Sequence, residues 1–107
     1  MTKHIVVLIT APSTEVGAQI ADALLAARAV ACVNIIPAVS SFYLWQGEVN
    51  HDAEVLLIAK TTAEVFEDRL VPVVRAAHPY EVPEIIALPV VMGTRDYLDW
   101  VDESVGG

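Results

Sequence analysis

The segments of this sequence that are predicted to form β-strands are apolar on both faces. Side chains alternate between the two faces of a strand, so residues 5–9 (IVVLI) carry apolar groups on each side. Residues 55–59 and 85–88 have the same property. A sheet with one solvated face would alternate apolar with polar residues. Because the chain has enough helix to cover only one face, we expect an obligate oligomer in which subunits bury the second face, with functional sites between them.

The chain has 107 residues, which is enough for one domain with a real core, so we expect a single domain over residues 1–107. Its residues are 55% hydrophobic and only 19% charged, which agrees with an oligomer. Insertion in a membrane is the rival explanation. No apolar run exceeds the five residues of segment 5–9, whereas a transmembrane helix needs about 20. The sequence also begins without the pattern of a secretory signal, so we expect no membrane association.

The charge and cysteine content narrow the possible partners and the compartment. The formal net charge is −8, and the six Lys and Arg residues are spread singly along the chain. Such a chain cannot assemble a basic patch that follows phosphates, so we expect no nucleic-acid binding. Cys32 is the only cysteine, which excludes an intramolecular disulfide and suits a reducing compartment. We therefore expect a cytoplasmic protein.

Hydrophobic periodicity and turn residues predict the element order β-α-β-β-α-β-α. This order indicates an α+β, ferredoxin-like fold with an antiparallel sheet, strands one and three central, and an extra C-terminal helix. Pro37 and Pro89 agree, because both fall in the predicted edge strands, where a missing N–H donor is tolerated. The strands are predicted at about 3–10, 30–44, 54–61 and 84–91, and the helices after Ser13 to about 29, after Thr61 to about 77, and at about 94–103.

Two features of the second predicted helix concern its ends and its continuity. Thr61 and Glu64 have the spacing of a capping box, which predicts the start of this helix. Pro72 falls inside it and should remove the hydrogen bond to the carbonyl of Asp68. We therefore expect a kink, at a cost of about 3 kcal/mol unless neighbouring residues absorb it.

The segment 78–84 (HPYEVPE) holds the densest polar groups of the chain, in a loop stiffened by two prolines. Rigid loops often present functional side chains. His78 has a structural interpretation too, as a residue that interacts with the last carbonyls of the second helix. Glu81 and Glu84 could act as paired carboxylates, but spacing ties no nucleophile or base to them. We therefore do not expect an enzyme.

A second cluster lies at the end of the predicted hairpin. Tyr43 and Trp45 occupy alternate positions and share one face of the strand, next to a turn at Gln46 and Gly47. Aromatic side chains at a hairpin tip usually need a partner surface. Packing between subunits is one use, and a stacking platform for a ligand is the other. In the second case Lys60 could supply positive charge for an anionic ligand.

Spacing gives only a weak indication of a metal site. Cys32, His4, His51 and His78 are scattered without the spacing of a metal site. Cys32 lies on one strand face with Asn34, and a small buried thiol is its ordinary role.

Three blocks of the sequence together resemble the CutA family of divalent-cation tolerance proteins. They are residues 32–37 (CVNIIP), 43–48 (YLWQGE) and 78–90 (HPYEVPEIIALPV), with Tyr97, Leu98 and Trp100 after them. The resemblance implies a ferredoxin-like subunit in a tight homotrimer, similar in architecture to PII signalling proteins. It also implies a role in tolerance to copper and other divalent cations.

The copper ligands ascribed to this family are a thiol late in strand one and two adjacent histidines before the Pro-Tyr pair. Ile9 and Ala77 stand at the thiol position and the first histidine position, so His78 alone remains. We therefore expect a homotrimer of metal-ion homeostasis that binds copper or a similar cation weakly. His78 is the first candidate ligand and Cys32 the second, and Glu81 and Glu84 could add oxygen ligands.

The alternative is a PII-like trimeric sensor or scaffold. It would bind a small molecule or a protein partner in clefts between subunits. The cleft residues would include those of the aromatic hairpin end and of the 78–84 loop, together with one lysine: Tyr43, Trp45, Lys60, His78, Tyr80, Glu81 and Glu84.

Overall fold

The computed structural model describes residues 3–106. Its strands form one antiparallel sheet in the order β2-β3-β1-β4, so strands one and three are central as predicted. The α+β, ferredoxin-like prediction is confirmed, with its additional helix at the C-terminal end. The elements are β1 (His4–Ala11), α1 (Thr14–Ala26), β2 (Cys32–Trp45), β3 (Glu48–Thr62), α2 (Val71–Ala77), β4 (Ile85–Pro89) and α3 (Arg95–Gly106).

One face of the sheet, the helix-covered face, holds the hydrophobic core. Alternate residues of the central strands, such as Ile9 and Leu57, are fully buried there. Leu24 of α1 and Val74 of α2 are fully buried in the same cluster. Each such side chain contributes about 1.5–3 kcal/mol of hydrophobic free energy. The two helices thus cover one face and no more.

The opposite face, here called the open face, is apolar as well. On the edge strand β4, Ile86 is 51% exposed and Leu88 is 50% exposed. The helix α3 covers part of this face, because His4 Nε2 lies 2.8 Å from Asp102 Oδ1. Strand alternation and the register of the pairs assign to the open face Val6, Leu8, Thr10, Cys32, Asn34, Ile36, Leu56, Ile58, Lys60, Ile86 and Leu88.

The β2–β3 hairpin is longer than predicted, because β3 begins at Glu48 rather than near residue 54. The register shifts between Ile36 and Val39, so that two residues, Pro37 and Ala38, lie opposite one residue of β3. This bulge explains how the edge strand accommodates a proline. Beyond the bulge, residues 39–45 and 48–54 form an extension of the sheet that we call the hairpin arm.

The turn of the arm has the geometry that a tight hairpin requires. Gln46 has φ 52° and Gly47 has φ 82°. Positive φ at both central residues is the signature of a type I′ turn, whose twist matches that of the flanking strands.

The second helical segment differs from its prediction. It consists of a 3₁₀ turn (Ala63–Val65), a π-helical turn (Phe66–Leu70) and then α2. The capping-box prediction is wrong, because Thr61 belongs to β3 and its Oγ1 donates to the carbonyl of Ala29 at 2.6 Å. Pro72 lies in the first turn of α2, directly after the π-helical turn. The helical segment is continuous there, because Leu70 has helical φ and ψ and the N–H of Val71 bonds to the carbonyl of Phe66. The irregularity expected at Pro72 is thus present as the π-helical turn that precedes it.

The remaining boundaries agree with the predictions within a few residues. The helix α1 ends at Ala26, because Arg28 adopts a left-handed φ of 54°, and α3 continues to Gly106. Among the helices of residues 3–106, none is long and apolar enough to cross a membrane.

Candidate functional site

A cleft of about 760 Å³ lies between the hairpin arm and the segment 78–84. The register of the arm places Tyr43 opposite Asn50 and Trp45 opposite Glu48, on the side that continues the open face. The cleft brings together five of the predicted site residues with one acidic residue that sequence reasoning missed. Its lining includes Tyr43, Trp45, Tyr80, Glu81, Glu84 and Glu54.

The hairpin arm fixes the ring of Tyr43 by a hydrogen bond within the arm. Its hydroxyl donates to Asp52 on the neighbouring strand β3. Asp52 lies two residues beyond Asn50, the strand partner of Tyr43. This bond and partial burial raise the pKa of Tyr43. Tyr43 therefore presents a neutral aromatic ring at neutral pH, held next to an anionic carboxylate.

The missed residue is Glu54, whose side chain is 8% exposed. Tyr80 reaches it from the 78–84 loop, and its hydroxyl donates to Glu54 Oε2 at 2.7 Å. Burial, together with this hydrogen bond, raises the pKa of Tyr80. The sequence held one signal for Glu54, which is that a carboxylate directly precedes the apolar run 55–59. Only the fold shows that Tyr80 is its partner.

His78 is buried beside the cleft, and both of its ring nitrogens have protein partners. Nε2 lies 2.7 Å from the carbonyl of Thr10, and Nδ1 lies 3.2 Å from the backbone N–H of Tyr80. Because a carbonyl only accepts and an N–H only donates, Nε2 carries the proton and Nδ1 accepts. The imidazole thus links β1 to the loop, and neither nitrogen is free. His78 does end α2, but through its backbone N–H, which bonds to the carbonyl of Val74.

Cys32 and Lys60 lie together elsewhere on the open face. Lys60 Nζ is 3.7 Å from Cys32 Sγ and also donates to Asn34. The strand partner of Cys32 is Lys60, whereas that of Thr10 is Leu56, four residues away. This places Lys60 about 13 Å along β3 from the strand position that His78 contacts.

Two consequences follow for the predicted ligands. Lys60 does not line the cleft, so it supplies no positive charge there. His78 and Cys32 do not meet, and within residues 3–106 no group of three or more His, Cys, Asp or Glu side chains is arranged to hold a metal ion.

Comparison with known proteins gives a consistent result. The family model of the CutA1 divalent ion tolerance protein matches residues 5–104. The divalent-cation tolerance protein CutA of Thermus thermophilus is 55% identical over 101 residues, which are 94% of this chain and 97% of that protein. The chain spans about half the length of the plant and animal CutA relatives it matches.

Solved structures agree with the fold. The divalent cation tolerance protein from Thermus thermophilus superposes with a TM-score of 0.93 at 54% identity, covering 96% of this chain and 99% of that chain. A structure from Archaeoglobus fulgidus, described as a periplasmic divalent cation tolerance protein, has a TM-score of 0.91 at 40% identity and covers 95% and 98%. The chain therefore belongs to the CutA1 divalent ion tolerance family.

Proposed function

We propose that this protein acts in divalent-cation tolerance and metal-ion homeostasis as a homotrimer. Membership of the CutA1 family supports the role in tolerance. The observation that supports assembly is the open face, where large apolar side chains of the sheet remain exposed after the subunit has folded. A contiguous apolar surface of this kind usually marks an interface between proteins. A trimer would bury three copies of it.

Native mass spectrometry tests the assembly directly. We expect a trimer for the wild-type chain and loss of the trimer in Leu88→Asp, because a charge would be buried at the interface. Leu25→Asp is the matched control, since Leu25 is 46% exposed on α1, away from the open face. A monomeric wild-type chain, or equal behaviour of the two variants, would contradict the proposal.

We also propose weak binding of copper or a similar divalent cation, with His78 as the first donor and Cys32 as the second. The two side chains do not fit one shared site, because they contact different parts of the sheet. Each would therefore act as a single protein donor, and His78 would first have to give up a hydrogen bond. Both features favour low affinity. Glu81 and Glu84 stay predicted oxygen ligands.

Calorimetric titration with Cu²⁺ tests these donors one at a time. Binding should fall on acidification, as imidazole is protonated, and should be lost in His78→Ala or reduced in Cys32→Ala. His51→Ala is the control, because His51 is exposed on the hairpin arm and stacks on Phe42 at 4.0 Å. Uptake that depends on His51 alone would overturn the assignment.

The second candidate function is a PII-like sensor or scaffold, and the cleft favours it. The cleft combines four aromatic residues with carboxylates and adjoins the open face that a trimer would bury. This function predicts that His78→Ala leaves metal uptake unchanged, while Trp45→Ala abolishes the binding of a small molecule or partner. Retained metal uptake in His78→Ala and lost ligand binding in Trp45→Ala would favour the sensor over the metal-binding role.

Localisation in the cytoplasm and the lack of an enzymatic activity belong to the same proposal. The family is named for tolerance rather than for a reaction. The single cysteine suits a reducing compartment. Fractionation of cells that express the full-length protein tests the compartment, and recovery in the periplasm would contradict it.

A further inference from the structure

We propose that the cleft binds an organic cation, an amine or a quaternary ammonium group held between aromatic faces and carboxylates. The inference rests on the sensor function proposed above and names the chemical class of its ligand. It reverses the sign of the charge that the sequence suggested for a ligand beside Trp45.

The charge of the lining is the first reason. Glu54, Glu81 and Glu84 contribute carboxylates, and among the described residues that line the cleft none is Lys, Arg or His. The whole chain carries a formal net charge of −8. An anionic ligand would meet only like charge in this cleft, whereas a cation would be attracted.

The burial and hydrogen bonding of Glu54 are the second reason. Its side chain is more than nine-tenths buried, and among residues 3–106 only Tyr80 donates to it, through Oε2. Oε1 has no hydrogen-bond donor among the described residues, and Glu54 lines the cleft. A buried carboxylate with one neutral donor is poorly compensated. A cation in the cleft would compensate it.

The aromatic rings are the third reason. Trp45, Tyr43 and Tyr80 line the same cleft, and the hydroxyls of both tyrosines are held by carboxylates. The electron-rich faces of such rings attract ammonium groups within about 6 Å, and tryptophan does so most strongly. A strongly hydrated metal ion would gain little from these walls. An alkylated or primary ammonium group would use both the rings and the charges.

The dimensions of the cleft agree with a small molecule. Its volume of about 760 Å³ lies within the usual range of about 300–1,000 Å³ for small-molecule pockets. One wall comes from the hairpin arm and the other from the proline-stiffened loop 78–84. Since the bond from Tyr80 to Glu54 ties these two walls together, the cleft is formed before a ligand arrives.

A matched pair of probes separates charge from shape. Choline carries a quaternary nitrogen, and 3,3-dimethylbutan-1-ol has the same shape with carbon in its place. We would titrate both into the assembled full-length protein by calorimetry at about 0.15 M salt, which screens attraction to the overall charge. We expect choline to bind at least tenfold more tightly than the neutral alcohol. Equal binding of the two probes, or no binding of choline, would overturn the proposal.

Four variants locate the site. Glu54→Gln keeps an acceptor for Tyr80 but removes the charge, and it should weaken choline binding about tenfold, as should Trp45→Ala. Glu15→Gln changes the net charge equally on α1, away from the cleft, and Trp100→Ala removes a tryptophan that has the same 44% exposure as Trp45. Both controls should bind within twofold of wild type. Choline binding that survives Glu54→Gln and Trp45→Ala would overturn the assignment to this cleft.

Native mass spectrometry of the same samples distinguishes a wrong ligand class from a failure of the proposed assembly. If the trimer is intact and choline does not bind, the ligand class is wrong while the assembly stands. If the protein does not assemble, the proposed function itself fails.

Discussion

The two faces of the sheet are both largely apolar but differ in what covers them. Leu56 and Leu57 are neighbours in β3 and point to opposite faces. Leu57 is fully buried under the helices, whereas Leu56 is only partly buried on the open face. The same residue type in the same strand thus serves folding on one side and, as we propose, assembly on the other. The apolar character of a side chain indicates that it will be buried, but it does not indicate which element or subunit buries it.

The segments that lie over the open face make polar contacts in addition to apolar ones, such as those of the buried Val101 and Val105 of α3. Asp102 of α3 bonds to His4 at one end, and Tyr80 bonds to Glu54 beside the hairpin arm. The helix-covered face, in contrast, is held by close apolar packing. We therefore expect substitutions on the two faces to differ in how much they change stability and in how that change depends on pH.

The largest effect is expected at Leu57. Leu57→Ala leaves a cavity in the core and should lower the free energy of unfolding by about 2–5 kcal/mol. Denaturation by guanidinium measures this loss. Leu56→Ala should instead weaken the trimer, measured as dissociation on dilution, with a smaller effect on the fold of the subunit. If both variants shifted unfolding and dissociation equally, the distinction between the faces would be wrong.

A smaller effect is expected at Tyr80. Tyr80→Phe removes the hydrogen bond that Tyr80 donates to the buried Glu54 and should cost about 1–3 kcal/mol of stability. Since the pKa of Tyr80 is raised in the folded protein, this contribution is complete below about pH 10, the usual tyrosine value. It is lost as the pH rises through the higher folded pKa.

Thermal unfolding at neutral and strongly alkaline pH checks this expectation. Tyr97→Phe is the control at neutral pH, because Tyr97 bonds to Asp96 through its backbone N–H rather than its hydroxyl, and it should change little there. Burial raises the pKa of Tyr97 too, so the comparison at alkaline pH is with the larger effect expected at Tyr80. A loss in Tyr97→Phe as large as that in Tyr80→Phe would show that the bond to Glu54 is unimportant.

The smallest effect is expected at Asp102. Burial opposes its ionisation, but the hydrogen bonds from His4 and Lys3 outweigh burial and lower the pKa of Asp102. A lowered carboxyl pKa contributes stability above the unfolded value of about 3.9, and this is lost as the pH falls through the folded pKa. Asp102→Asn should therefore cost under about 1 kcal/mol at neutral pH.

Unfolding curves from pH 6 down to about pH 2 measure this difference, because the loss occurs below the unfolded value of about 3.9. The wild-type chain should lose stability toward acid more steeply than Asp102→Asn. Asp99→Asn is the control on the same helix, because Asp99 is exposed and makes no ion pair with a described residue. If stability fell equally toward acid in wild type and Asp102→Asn, this contact would not contribute to the stability of the fold.

Sequence reasoning predicted the fold well because periodicity and proline placement are local signals. Alternation identified the strands, and Pro37 and Pro89 identified the edges of the sheet. The capping-box prediction at Thr61 was wrong because Thr61 belongs to a strand. Its hydroxyl donates to the carbonyl of Ala29, which is distant in the sequence. The early start of β3 was missed because residues 48–54 are mostly polar and carry no strand periodicity. Their strand character comes from pairing with β2.

The candidate site could be predicted only in part. The aromatic hairpin end and the 78–84 loop were both recognised, and the fold brings Tyr43, Trp45 and Tyr80 to one cleft. Lys60 was grouped with them, yet it lies with Cys32, because sequence order gives no distance between a strand and a loop.

The sequence by itself determined that this chain forms an antiparallel sheet with apolar side chains on both faces, because strand alternation is a property of the backbone. It also determined which residue types are available for binding. Only the tertiary structure decided that Tyr80 meets Glu54, that His78 has no free nitrogen, and that the cleft is acidic. These features depend on contacts between residues far apart in the chain, which form only when the strands and loops pack together.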